Sequence, residues 1–226
     1  MARLRPVLGI KAIASLFQSK SNTQATADIN FAFNGNALDP FIKEWSKTSM
    51  AEKYMQNDRL PFHKKFPKGS VGDVLKEFLG EEQRSSDLRD LNKLKAYNID
   101  LAFINWVIDC HDLGHIMTEY GQDTTGEILR IEFETTQTNL RGYRMIAWIF
   151  KGKTLFVNPF RYLKFRKMVK EARKRGAQAN NLHMVDWFKY LNEPFDFVQK
   201  EICNIEPQEL YKLRDPYWYD WTEKHF

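Results

Sequence analysis

The sequence predicts an all-α fold in a single domain spanning residues 1–226, built around one central helix that carries the chemistry. Three observations lead there. Apolar side chains recur at helical spacing through "LAFINWVIDCHDLGHIM". Several segments are bracketed by helix start and stop signals. No internal repeat, low-complexity run or linker divides the chain.

The elements follow in chain order. The opening "MARLRPVLGIKAIASLFQSKSNT" has four basic residues and no acid, a composition shared by import signals; a first amphipathic helix of the mature fold is the favoured reading. "LDPFIKEWSKTSMAEKYM" offers Asp39 as a cap, Pro40 at the first helical position and no breaker afterwards, so it reads as one helix. "PKGSVGDVLKEFLG" starts at Ser70, has Asp73 three residues later and stops at Gly80, which frames a short capped helix. Its glycines and Lys68 could also cradle a phosphate, but no strand precedes them.

Between Asn98 and Tyr120 lies the most apolar helix. Leu94, Leu101, Ile104, Ile108, His111 and His115 follow at steps of seven, three, four, three and four. At the helical turn per residue they share one sector of about 100°, with Asp112 at its edge. The polar turn "GQDTTG" then leads into "EILRIEFETTQTNLRGYRMIAWIF". "IEFET" alternates as a strand would, yet Glu127, Ile131, Glu134, Thr138 and Arg141 fit one helical face, and no turn signal comes before Gly142. The stretch is therefore expected to be helical. A basic helix opens after Pro159, and two more are expected around "MVDWFKYLN" and "PFDFVQKEI".

Composition narrows the function. Hydrophobic residues make up 43% and charged residues 28%, ordinary for a folded protein. Aromatic residues reach 14%, with 17 Phe, which leans towards a wide apolar pocket or contact surface. No run approaches the length of a membrane-spanning helix; the best, "MIAWIF", stops at six. Two cysteines in 226 residues exclude a disulfide framework and fit a reducing compartment. The net charge of +5 is concentrated: Arg161–Arg175 holds eight Lys/Arg against one Glu. Such a helix, with its narrow apolar stripe Tyr162–Phe165–Val169, is expected to lie on an anionic membrane surface. No nucleic-acid partner is expected.

The chain has five histidines, and two of them stand four apart in "CHDLGHIMTEYGQDTTGE". On a helix that spacing puts two imidazoles on one face about 6 Å apart, within reach of a single cation. Asp112 flanks them, and Glu127 opens the next helix after a short turn. Two nitrogens and two carboxylates suit zinc first, with Fe, Mn or Mg as alternatives. Burying so many ionisable groups without a cation is expensive. The bland alternatives are core histidines bonded to backbone carbonyls, and Glu127 as the capping-box partner of Thr124.

The pattern H-D-x-x-H, eleven residues, E resembles the signature of the coenzyme Q biosynthesis protein four family. "EILRIEFETTQTNL" resembles the continuation of that motif, with Glu134 and Gln137 matching a Glu and a Gln. "PKGSVGDVLKEF" looks like the family's P-x-G-[ST]-x-G segment. "RGAQANNLHMVDWFKYLNEPFDFVQKEICNI" is similar in spacing to its C-terminal helices. The likeness runs from about Pro61 to Ile205. It is weakest in the first sixty residues, in "KGKTLFVNPFRYLKFRKMV" and after Pro207.

The resemblance implies His111, Asp112, His115 and Glu127 as metal ligands. It also implies an all-helical homodimer, membrane association, and handling of a prenylated quinone precursor or other isoprenoid lipid, together with other quinone-synthesis proteins. The implied placement is cytoplasmic and peripheral on the membrane, or on the matrix side of the mitochondrial inner membrane. The favoured activity is metal-dependent removal of a ring carboxylate from a prenylated hydroxybenzoate, with or without accompanying oxidation. Glu119 and Asp123, in the turn beside the ligands, are the candidate catalytic acids. Phe103, Trp106 and Ile108 are the candidate lipid-lining residues. The competing reading is a non-catalytic lipid-binding scaffold with a structural metal. A phosphohydrolase of the "HD" type is disfavoured, because His63 lies far off in a Pro-flanked loop.

Overall fold

The computed structural model describes Lys11 and residues 23–34, 38–56, 59–61, 64–80, 100–138, 140–157 and 159–211. Those residues form helices and no β-strand, as the sequence predicts; Ser70 and Pro194 make an isolated antiparallel bridge among them. The rest of the opening segment, His63, Leu94 and the tail "DPYWYDWTEKHF" lie outside the described residues.

Helix α1 covers Thr23–Asn34. The following segment is not the single helix expected. It breaks into α2, Asp39–Trp45, and α3, Ser49–Met55. The reason is local competition from hydroxyls. Ser46 Oγ donates to the Lys43 carbonyl at 2.9 Å and Thr48 Oγ1 to the Trp45 carbonyl at 2.7 Å. Thr48 then turns extended and caps α3, accepting from the Ala51 amide at 3.3 Å. Asp39 lies inside α2 rather than at its cap, which is Leu38.

Helix α4, Val71–Leu79, matches its sequence frame: Ser70 caps it and Gly80, at φ 61°, ends it. The Asp73 carboxylate accepts from the Gly69 amide at 2.8 Å, so this segment is a turn closed by a cap.

Helix α5 is Leu101–Thr118, capped by Asp100, which accepts from the Ala102 amide at 2.7 Å. Helix α6, Thr124–Gln137, ends earlier than the sequence suggested. Thr138 goes extended, at φ −118° and ψ 130°, while its hydroxyl bonds the Glu134 carbonyl at 3.1 Å. Gly142 is therefore not a stop signal; it lies within α7, Arg141–Val157, and its amide donates to Asn34 Oδ1 of α1 at 2.9 Å. Helix α8, Pro159–Gln178, begins at the predicted proline. A 3₁₀ turn (Leu182–Met184), the short α9 (Trp187–Tyr190) and α10 (Phe195–Phe197), continuing into a π turn at Val198–Ile202, complete the described chain.

Packing makes α5 and α6 the centre. Helix α5 is flanked by α3, α4 and α6, and α6 in turn packs on α7 and α8. Gly176 lets α8 approach closely: a Cβ there would meet the Phe133 carbonyl oxygen at 2.3 Å. Glu132, fully buried on α6, is gripped by Lys151 of α7 at 3.0 Å and Arg173 of α8 at 2.6 Å. A buried carboxylate costs several kcal/mol unless paired, so this trio pins three helices together.

Candidate metal centre

The two histidines sit on the last turns of α5, where the apolar stripe has already buried the helix. After Thr118 the chain turns through Glu119, which takes the left-handed conformation at φ 61°. The Tyr120 carbonyl thereby swings back under the helix and accepts from His115 Nδ1 at 2.9 Å. With Nδ1 carrying the proton, Nε2 presents its lone pair.

Glu127 is brought to the same place by a tight return. Asp123 caps α6, its Oδ1 accepting from the Thr125 and Gly126 amides at 3.0 and 3.1 Å. Gly126 is required there, because a Cβ would lie 2.1 Å from the Gly121 carbonyl oxygen. Since Asp123 does the capping, Glu127 is left to point inwards, and its capping-box reading does not apply.

The result is a convergent set. His111, His115 and Glu127 each offer a ligand atom, all within 4.8 Å of one another. The two Nε2 atoms are 3.0 Å apart, and each stands 3.3 Å from a different oxygen of Glu127. Atoms bound to one cation at about 2.1 Å stand roughly 3.0–3.4 Å apart at neighbouring corners of its shell. The donor set and its spacing fit a divalent metal. Burial grades across it: the His115 side chain is 2% exposed, His111 15% and Glu127 38%. The set thus has a closed inner side and an open edge at Glu127.

Electrostatics point the same way. Burial pushes His111 down. Burial would also lower His115, but the charge and hydrogen bond of Glu127 outweigh it and raise it. Burial alone would raise Glu127, yet His115 and His111 hold it well below the ordinary carboxylate range. Glu127 is thereby kept as the carboxylate and His111 as the neutral imidazole, the forms that bind a metal.

Phe78, Arg130 and His183, which the sequence reading did not single out, complete the surroundings together with Glu134, which the family resemblance did. Phe78 of α4 stacks on His115, with centroids 5.7 Å apart. Arg130 of α6, fully buried, lies across α5 at Gly114: a Cβ on that glycine would come within 2.0 Å of the guanidinium. Arg130 donates to Glu134 at 3.0 Å, and Glu134 also accepts from His183. Two signals were legible: a glycine between the two histidines, and Arg130 with Glu134 at i, i+4 in the next helix.

The model for the coenzyme Q (ubiquinone) biosynthesis protein Coq4 family matches residues 46–209. The chain belongs to the Coq4 family. Its fold is similar to the crystal structure of a candidate ubiquinone biosynthesis protein from Nostoc punctiforme PCC 73102, with a TM-score of 0.62 and 15% identity. The likeness covers 88% of this chain and 98% of that one. No curated protein sequence matches the chain significantly.

Within this Coq4-family fold, the remaining sequence candidates fall apart spatially. Asp112 is buried beside the histidines but is not one of the three converging residues. Glu119 is exposed and accepts from the Gln208 amide at 3.4 Å. Asp123 Oδ1 serves the helix cap, while Oδ2 accepts from the Tyr211 hydroxyl. Phe103, Trp106 and Ile108 are buried. Phe103 and Trp106 pack ring to ring with Phe41 and Trp45 at 5.3–6.0 Å, so their faces are filled by core neighbours. Of the basic helix, Arg175 turns inward to the Thr118 carbonyl at 3.0 Å and Arg173 pairs with Glu132.

Proposed function

We infer from family membership that the chain takes part in ubiquinone biosynthesis. We propose that His111, His115 and Glu127 hold one divalent cation, zinc before Fe, Mn or Mg, and that the centre acts on the head group of a prenylated hydroxybenzoate, releasing its ring carboxylate as carbon dioxide. One observation carries this: three protein donors converge with an open edge at Glu127. That is the pattern of catalytic sites, whereas a structural site closes its shell with protein ligands. A bound cation would supply Lewis-acid polarisation of a head-group oxygen. The chain itself orients the donors, through the Tyr120 carbonyl and the Asp123 cap, and shields the inner side with Phe78. A proton must reach the ring carbon that loses the carboxylate. Glu119, exposed at the end of α5, is the acid candidate less committed to structure than Asp123.

The test incubates purified protein and several metals with a prenylated hydroxybenzoate and weighs the product. Loss of carbon dioxide that disappears in Glu127→Ala supports catalysis. The engagement of Asp123 in the helix cap and with Tyr211 favours a second reading, a lipid-binding scaffold with a structural metal. Normal lipid binding with no product under any metal would establish it.

We also propose that the α7–α8 corner rests on anionic lipid. Among the described residues no helix is long and apolar enough to cross a membrane. Trp148 is 69% exposed, Phe160 85% and Leu163 60%. The exposed face of α8 adds Lys164, Arg166, Lys167, Lys170 and Lys174. Apolar tips among cations suit an anionic bilayer; a second copy docked on this face would set cation against cation.

A further inference from the structure

The buried groups behind the candidate centre have no role in the reading above. Arg130, Glu134 and His183 are all fully or almost fully buried and joined in a row, Arg130 to Glu134 at 3.0 Å and Glu134 to His183. Such a row costs more to bury than apolar residues of similar size would. Its position is particular. Glu127, Arg130 and Glu134 lie at i, i+3 and i+7 of α6, on the face turned towards α5. Arg130 reaches the one place on α5 that has no side chain, Gly114, which stands between His111 and His115 in sequence. One end of its guanidinium also lies 3.5 Å from the Cys110 carbonyl, immediately before His111. Behind it, His183 is held edge-on by Phe41 and packed against Trp106, with centroids at 5.6 and 5.4 Å. The guanidinium therefore has little freedom to move.

We infer that Arg130, seated in the notch at Gly114 and braced by Glu134 and His183, is the positioning residue that sets the two histidines of α5 against Glu127 of α6. The inference rests on the metal-centre reading. The same α6 residue face supplies both the third donor and the arginine, so the row fixes the register of α6 on α5 at the donors. A hydrophobic contact would tolerate sliding; a planar fork locked to one carboxylate and one backbone notch does not. Partners that orient metal ligands change affinity about 10–100-fold when removed.

The test titrates cobalt(II) into the full-length apoprotein and follows its d–d absorption, which reports ligand geometry independently of any activity. Gly114→Ala forces the guanidinium out and is expected to weaken cobalt binding about 10–100-fold and shift the bands. Arg130→Met is expected to do the same. In the double variant the methyl group no longer meets a guanidinium, so Gly114→Ala should add little to Arg130→Met. Circular dichroism establishes which variants are folded. Should Arg130→Met fail to fold, Arg130→Lys, which keeps the charge but loses the fork, takes its place. Wild-type affinity and bands in Gly114→Ala and the Arg130 variant, alongside lost binding in His115→Ala, would overturn the inference alone. Absence of cobalt uptake by the wild type would overturn the metal centre and this inference with it. Strictly additive losses in the double variant would also count against it.

Discussion

His115 donates its Nδ1 proton to the Tyr120 carbonyl at 2.9 Å, five residues further along the chain. The bond exists because the left-handed turn at Glu119 folds the backbone under the end of α5. It determines which ring nitrogen faces Glu127, and Arg175 steadies the same turn by gripping the Thr118 carbonyl at 3.0 Å. Purified protein is expected to carry about one equivalent of divalent metal. His115→Ala should lose most of it, as read by elemental mass spectrometry. A full equivalent retained in that variant would remove His115 from the donor set.

Glu134 sets a pH signature. Burial alone would raise its carboxyl, but Arg130 and His183 outweigh this and hold it well below the ordinary range. A folded-state value below the unfolded one gives stability that is present above the unfolded pKa and lost as pH falls towards the folded one. Glu134→Gln leaves Arg130 short of its counter-charge and is expected to cost about 3 kcal/mol at neutral pH. The gap between wild type and variant, measured by denaturant unfolding, should hold above about pH 5 and narrow below about pH 4. A gap that widens in acid would show that Glu134 is not held as the ion.

Glu119 and Asp123 separate structure from chemistry. Asp123→Ala removes the α6 cap and should cost about 1 kcal/mol, with weaker metal retention because Glu127 follows on the next turn. Glu119→Gly replaces a left-handed glutamate at a helix end by the residue best suited there, so its melting temperature should hold or rise. If Glu119 delivers a proton, the same variant forms less product from the prenylated hydroxybenzoate. Undiminished product would strike Glu119 from the acid candidates.

The α7–α8 corner makes a membrane prediction. Each cation near an anionic surface contributes about 1 kcal/mol. Lys167→Glu with Lys170→Glu should abolish flotation with anionic vesicles, and added salt should weaken the wild type. Phe160→Ser with Leu163→Ser should weaken binding in a way that salt does not mimic. Arg173→Gln should instead lower stability, since that side chain pairs with buried Glu132. Equal flotation with neutral vesicles would refute the electrostatic part; capture by an acidic protein without lipid would assign the face to a different partner.

Much of the fold was legible because helix periodicity and caps are local. Ser70, Gly80 and Pro159 mark the boundaries that the backbone adopts. Two misread helix ends share one cause. At Ser46–Thr48 and at Thr138, hydroxyls bonded to carbonyls three or four residues back as the helix gave way, and no glycine or proline announced it. Gly142 carried the opposite error: a residue read as a stop lies inside α7, its amide accepted by Asn34, more than a hundred residues earlier.

The sequence by itself determined the helical class, the helix that carries His111 and His115, and their shared face, because i, i+4 spacing fixes that geometry on any α-helix. It also placed Glu127 within a short turn of them. Only the tertiary structure decided which groups converge. Asp112, adjacent to His111, is buried outside the converging set, and Glu119 and Asp123, close in sequence, are spent on a turn and a cap. Arg130, His183 and the Tyr120 carbonyl are joined to the site by packing and hydrogen bonds between elements, and periodicity within one element says nothing about those. The division among the eight basic residues of Arg161–Arg175 was settled likewise: Arg175 is buried because α8 lies on the end of α5, a contact that no local pattern encodes.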